Sequence, residues 1–273
     1  MDILSEIIAN KRKEVDAQKE LYPIKLLEKS VFYEGTPVSL KKYLLREDKS
    51  GIIAEIKRKS PSKGMINAHV SIERTSIGYM QAGASGLSIL TDKAYFGGSM
   101  EDLKEARSFN YCPILRKDFM IDEYQVIEAK SIGADVILLI AAVLNKEEIE
   151  KLGRLAQSLG MEVLLEVHNE EELYRSITDA VNLIGVNNRN LKTFETDVNT
   201  SKELADKIPD DFIKVSESGI SDPATIHELK EYGFEGFLIG ETFMTHGRPS
   251  KAAKEFINRL RKLEGTLAGS GVG

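Results

Sequence analysis

Eight apolar runs of strand length, most followed by a stretch of helical periodicity, fill the chain from residue 51 onward. The runs fall at 51–57, 86–91, 112–117, 135–141, 162–167, 183–188, 212–217 and 236–240. Helical patterns occupy 71–83, 99–109, 122–133, 146–159, 169–178, 199–208 and 222–232, with a last one at 250–262. Short apolar runs bounded by turn residues read as strands buried on both faces, and parallel strands need crossover helices between them. Start and stop signals agree with this: Ser71 and Asp222-Pro223 precede helical stretches, while Gly83, Gly133, Gly160 and Gly233 follow them. Eight βα units without a dividing linker predict one α/β domain, a (β/α)8 TIM barrel. A doubly wound open sheet is the alternative arrangement of the same elements.

Ahead of the first strand lies a leader of about 1–48. Ile3, Leu4, Ile7, Ile8 and Val15 have the spacing of an amphipathic helix from residue 2 to about 20. Lys11, Arg12 and Lys13 are expected on its solvated face. A short helix is expected at Ile24 to Lys29 and a third from near Ser39. The domain is therefore read as 1–265, leader included. The Gly-rich tail TLAGSGVG, 266–273, is expected to be disordered.

Composition narrows the function. A net charge of −6 and a pI near 5.5 argue against a nucleic-acid footprint. A single cysteine, Cys112, excludes an internal disulfide framework and any multi-cysteine metal site. His69, His168, His227 and His246 show no metal-ligand spacing, so no metal is expected. No run is long enough for a membrane helix, and MDILSEIIANKRKEV lacks signal-peptide order. A cytoplasmic protein, monomeric by default, is the expectation. Without a GxGxxG or P-loop, nucleotide binding has no support.

Barrel active sites lie at the carboxyl ends of the strands. Alternation along each strand puts Glu55 and Lys57 in phase with Ile53, Lys117 with Leu115, Glu166 with Leu164, Asn187 with Gly185, and Glu217 with Val215. Two lysines, three glutamates and an asparagine thus converge on one rim, a set suited to proton transfer. For Glu55 and Lys57 alone, an internal ion pair at a strand end is the alternative to a functional reading. A lysine among other cations is expected to lose proton affinity and a carboxylate in an apolar barrel mouth to gain it, bringing both toward working pH. Ser218-Gly219 and Gly240-Glu241, after the last two strands, are candidates for holding a phosphate, with Ser60 and Lys59 from the first loop. His168, just beyond Glu166, is read as a structural loop residue.

The segments AEIKRKSPSKG, ILRKDF, LLEV, GVNNRNL, SESGI and FLIGETFM, in this order, resemble the indole-3-glycerol-phosphate synthase family. YFGGS at 95–99 is similar to the family's aromatic loop. The resemblance implies closure of an indole ring from 1-(2-carboxyphenylamino)-1-deoxyribulose 5-phosphate, with loss of carbon dioxide and water and no cofactor. It implies Lys117 as the general acid for ring closure. Lys57 would hold the substrate carboxylate and act as a dehydration acid, and Glu166 would be the base or cation stabiliser. Glu55, Asn187 and Glu217 would orient these groups. The phosphate would be held by Ser60, Gly219 and Gly240, with Arg189, Lys59, Ser218 and Glu241 nearby. Phe96, Phe119, Leu138 and Leu191 would wall the aromatic ring. Association with other tryptophan-pathway enzymes is compatible with it. Competing readings are a Schiff-base aldolase, another phosphate-binding barrel such as phosphoribosylanthranilate isomerase, and a non-catalytic phosphate-ligand sensor.

Overall fold

The computed structural model describes residues 3–190 and 193–270. Eight parallel strands close into a barrel: β1 (Ile52–Ile56), β2 (Gly86–Leu90), β3 (Ile114–Lys117), β4 (Val136–Ile140), β5 (Glu162–Val167), β6 (Leu183–Asn187), β7 (Ile213–Glu217) and β8 (Phe234–Ile239). Each strand pairs with its sequence neighbours, and β8 pairs with β1. Closure rather than an open sheet follows from that last pair. β8 begins two residues earlier than the apolar run, because its pairing register shifts between Phe234 and Gly236. That irregularity interrupts the pattern a sequence can show.

Alternation divides the core in two. Ile53, Leu115, Leu138, Leu164, Leu183, Val215 and Leu238 fill the barrel interior. Ile52, Ala54, Ile89, Ile137, Leu139, Leu165 and Val186 face the surrounding helices. Helix caps are chemically explicit: Ser71 accepts the Arg74 amide, and Asp222 accepts the Ala224 amide ahead of Pro223 at the first helical position. The final helix is Pro249–Ser270, so its backbone extends into the tail expected to be disordered; residues 271–273 lie outside the described residues.

The leader wraps the barrel from mouth to floor. Its helix α1 (Ile3–Leu21) lies at the mouth, where Ile3, Leu4 and Ile7 line a cavity. Tyr124 donates its hydroxyl to the carbonyls of Gln18 and Tyr22, fastening the far end of α1. After α2 (Ile24–Leu27), helix α3 (Leu40–Leu44) puts Leu40 and Leu44 into the interior core. The Val38 amide donates to Asp135, and the Lys41 amide and Ser39 hydroxyl donate to Glu162.

One expectation fails here. Arg12 and Lys13 are exposed, but Lys11 is 1% exposed. It lies four residues from both Ile7 and Val15, on the buried face of α1. Its ammonium reaches Asp92 at 3.0 Å and Asp118 at 2.9 Å, which offset the cost of burying it.

Candidate active site

The strand phases deliver the rim residues to one place. Glu55, Lys57, Lys117, Glu166, Asn187 and Glu217 all line a cavity of about 150 Å³ at the carboxyl end of the barrel. Lys117 stands at its centre. Its ammonium bonds Glu166 Oε2 at 2.8 Å and Glu217 Oε2 at 2.6 Å. Asn187 donates to the other oxygen of Glu166 at 3.1 Å. Glu55 and Lys57 do form an ion pair, at 2.9 Å, and Ser88 of β2 donates to the second Glu55 oxygen. Ser88 is the only polar residue in the run GLSIL and shares the interior phase of its strand partner Glu55.

Two glycines give these carboxylates room. A Cβ on Gly185 would stand 2.2 Å from Glu217 Oε1, and one on Gly240 would stand 2.5 Å from Glu55 Oε1. Glu217 Oε1 is buried with no hydrogen-bond partner among the described residues, an acceptor left open.

The electrostatics correct the expected pattern. Lys117 faces carboxylates rather than cations. Burial alone would lower its proton affinity, but Glu166, Glu217 and Glu55 outweigh burial and raise it. Glu166 is driven the other way: burial opposes its ionisation, yet Lys117, His168 and the Asn187 hydrogen bond hold it below the usual range, at about 2. Only Glu217 moves toward neutrality. Burial and the charge of Glu166 push it up to about 7 despite Lys117. One ammonium satisfies the first carboxylate fully, and the second ionises against it.

The apolar wall is built by Phe96 and Phe119, whose ring centroids lie 6.0 Å apart, by Leu138 from β4, and by Ile3, Leu4 and Ile7 of α1. The sequence showed α1 as amphipathic but not what it covers. Leu191 lies outside the described residues. Phe194 lines the cavity from the same loop, in a left-handed conformation with φ of 60°. Such strain in a non-glycine residue accumulates at functional loops.

Alongside lies a second, polar cavity of about 600 Å³, sharing Lys57, Ser62, Arg189 and Ser218 with the first. Ser218 and Gly219 take consecutive left-handed conformations at its edge, with φ of 69° and 79°, and Gly240 and Glu241 close its far side. Arg189 donates to Ser62 at 2.9 Å and pairs with Glu241 at 3.2 Å. Ser60 is buried; it lines the first cavity and accepts the Lys63 amide at 3.3 Å. Lys59 is not brought here: its ammonium donates to the Ala94 carbonyl at 2.5 Å. A two-stranded hairpin, 59–60 with 64–65, sends Lys63 to this side instead, 3.6 Å from Glu241. The carboxylate of Glu241 therefore sits between two cations. Burial acts against its ionisation, but Arg189 and Lys63 hold its pKa below the usual range.

An apolar wall over a buried lysine–carboxylate cluster, with a cationic cavity alongside, suits acid–base chemistry on an anionic substrate at the carboxyl mouth of a (β/α)8 barrel enzyme. Comparison with known proteins narrows the class. The family model described as indole-3-glycerol phosphate synthase matches residues 4–256. A protein named indole-3-glycerol phosphate synthase from Bacteroides thetaiotaomicron is 51% identical over 260 residues, covering 95% of this chain and 99% of that one. One of the same name from Dechloromonas aromatica is 43% identical over 251 residues, covering 91% and 96%. Among solved structures, tryptophan synthase subunit alpha from Legionella pneumophila superposes with a TM-score of 0.59 at 14% identity, over 82% of this chain and 97% of that one, a likeness of fold alone. The chain belongs to the indole-3-glycerol phosphate synthase family.

Proposed function

We propose that this site converts 1-(2-carboxyphenylamino)-1-deoxyribulose 5-phosphate to indole-3-glycerol phosphate, the carboxy-lyase step that forms the indole ring in tryptophan biosynthesis. The observation that carries the assignment of roles is the position of Lys117, an ammonium fixed between Glu166 and Glu217 beneath an apolar wall.

In the proposed reaction the phosphate occupies the polar cavity, held by Arg189, Lys63 and the backbone around Gly219 and Gly240. The aromatic ring lies against Phe96, Phe119 and Leu138, and Lys57 holds the ring carboxylate. The ring carbon bearing the carboxylate bonds to the ketone carbon while Lys117 delivers a proton to the ketone oxygen. High proton affinity suits this role, because the oxygen becomes alkoxide-like and far more basic than the ketone. Glu166 faces the positive charge that develops on the ring and its nitrogen. Loss of carbon dioxide restores the aromatic ring. The hydroxyl then leaves as water with a proton from Lys57. A carboxylate removes a proton from the carbon next to nitrogen, completing the second double bond. Glu217 Oε1, the open acceptor, suits the substrate's N–H or a hydroxyl.

A Schiff-base aldolase needs a neutral amine, and the two carboxylates on Lys117 act against one. Every residue in the scheme comes from a single chain, so a monomer suffices. A small phosphorylated substrate and a cytoplasmic setting complete the reading.

The chain has no tryptophan, so an indole product can be followed by fluorescence against little protein background. Incubation with the substrate, without added metal or nucleotide, is expected to give rising indole emission. A folded protein that gives none would overturn the proposal.

A further inference from the structure

Glu166 is gripped on both oxygens. Oε2 takes the Lys117 ammonium, while Oε1 takes the Asn187 amide and faces Nε2 of His168 at 3.4 Å. His168 follows Glu166 by two residues, so alternation turns both side chains the same way. Its side chain is 10% exposed, and Nε2 is buried with no formed hydrogen bond among the described residues.

The other face of the imidazole is committed. Nδ1 lies 3.1 Å from Oε2 of Glu172, which also accepts the His168 backbone amide at 2.9 Å. Glu172 is itself fixed in the first turn of helix α4 (Glu170–Ser176): Asn169 caps the Glu172 amide and donates its own side-chain amide to Glu172 Oε1. With Nδ1–H given to Glu172, the proton state of Nε2 decides the contact with Glu166. A neutral ring would turn a lone pair toward a carboxylate oxygen, whereas an imidazolium turns a proton toward it.

We propose that His168 is a positioning residue for the reaction, whose imidazolium, oriented by Glu172, holds the Oε1 edge of Glu166 so that this carboxylate stays ionised and aimed while Lys117 gives up its proton. The chain of command runs from the first turn of α4 through Glu172 and His168 to Glu166. The charged groups around the ring are Glu166 on β5, Glu172 on α4 and, farther off, Glu217 on β7, with Lys117 on β3 beyond Glu166. The carboxylates raise the ring's proton affinity against the effect of burial, and Arg175 helps to keep Glu172 ionised. When the Lys117 proton moves to substrate, Glu166 loses its strongest partner. A second cation on Oε1 keeps it from retrieving that proton.

The inference rests on the proposed reaction for its kinetic readout but not for its spectroscopic one. In 15N-histidine-labelled protein, His168 is expected to carry protons on both nitrogens at pH 7.5. Its titration midpoint should fall in Glu172→Gln, which removes the carboxylate on Nδ1. A neutral His168 at pH 7.5 in the folded protein would overturn the proposal whether or not the substrate is turned over. For kinetics, His168→Gln keeps a donor and loses the charge. It is expected to lower kcat by about ten- to a hundredfold with KM within about twofold. The acid limb of the kcat profile should move to higher pH, because the interacting pair Glu166 and Glu217 loses a neighbouring cation and takes up its proton more readily. Glu172→Gln should shift the limb in the same direction by a smaller amount. A His168→Gln enzyme with unchanged kcat and pH profile, or one altered only in thermal stability, would make His168 a structural loop residue.

Discussion

The ammonium of Lys11 lies 2.9 Å from Oδ1 of Asp118, so a charge on the leader helix neutralises the residue that directly follows Lys117. The same ammonium reaches Asp92, whose other oxygen accepts the Tyr95 and Phe96 amides of the aromatic loop. Asp118 in turn accepts from Thr91, Arg116 and the Phe119 amide. One buried cation thus ties α1 to both phenylalanines of the apolar wall.

That tie has a pH signature. Burial would raise the Asp118 pKa, but Lys11, Arg116 and Thr91 override it and bring it to about 2 from an ordinary 3.8. A depressed carboxylate contributes stability above its unfolded pKa and loses it as pH falls through the folded one. The shift corresponds to about 2 kcal/mol, lost between about pH 4 and pH 2. Denaturant unfolding across that range should show the loss in the native chain and a reduced slope in Asp118→Asn. At neutral pH, Lys11→Met should cost about 3 to 5 kcal/mol, because Asp92 is left buried without its cation and Asp118 keeps only Arg116.

Gly240→Ala places a Cβ where Glu55 Oε1 now lies, and Gly185→Ala does the same to Glu217 Oε1. The atoms met are the ends of side chains, so the fold can yield by turning a carboxylate aside. Each variant is expected to unfold within about 1 to 3 kcal/mol of the parent and to lose about a hundredfold in kcat. Activity close to that of the parent would show that these glycines do not make the room assigned to them.

Glu241 competes with an anion for Arg189 and Lys63. Inorganic phosphate, measured as a competitive inhibitor, should bind about tenfold more tightly to Glu241→Gln and at least tenfold more weakly to Arg189→Ala. Equal inhibition of both variants and the parent would remove the polar cavity from the phosphate role.

Glu217, raised to about 7 by burial and by Glu166, must ionise to hold Lys117 from the second side. The expected kcat/KM therefore declines as pH drops below about 7, well above the range of an ordinary glutamate. In Glu217→Gln that inflection should vanish, along with most of the activity. A lower limb near pH 4 in the native chain would contradict the assignment.

The rim was legible because two rules act together: alternation fixes which residues of a strand share the interior, and the barrel fixes which end bears chemistry. Glu55, Lys57, Lys117, Glu166, Asn187 and Glu217 all follow from them. What escaped depended on partners distant in the chain. Lys11 carried a local signal, its spacing between Ile7 and Val15, but Asp92 and Asp118 lie on other units, and an unpaired lysine is read as exposed. The same blindness reversed the expected shift at Lys117, since strand phase tells that groups converge but not which oxygen meets which nitrogen. Lys59 and Lys63 exchanged roles through a hairpin turn inside an otherwise featureless cationic loop. Phe194 reaches the cavity through a left-handed residue, which strand and helix periodicity do not describe.

The central claim is that Lys117 supplies the ring-closing proton. The direct measurement is single-turnover conversion of the carboxyphenylamino-deoxyribulose phosphate by Lys117→Ala, followed by indole fluorescence, beside substrate binding by calorimetry. Binding within about tenfold of the native chain, with product formation slowed by at least about a thousandfold, is the predicted result. Product formed at a rate comparable to that of the native chain would contradict it.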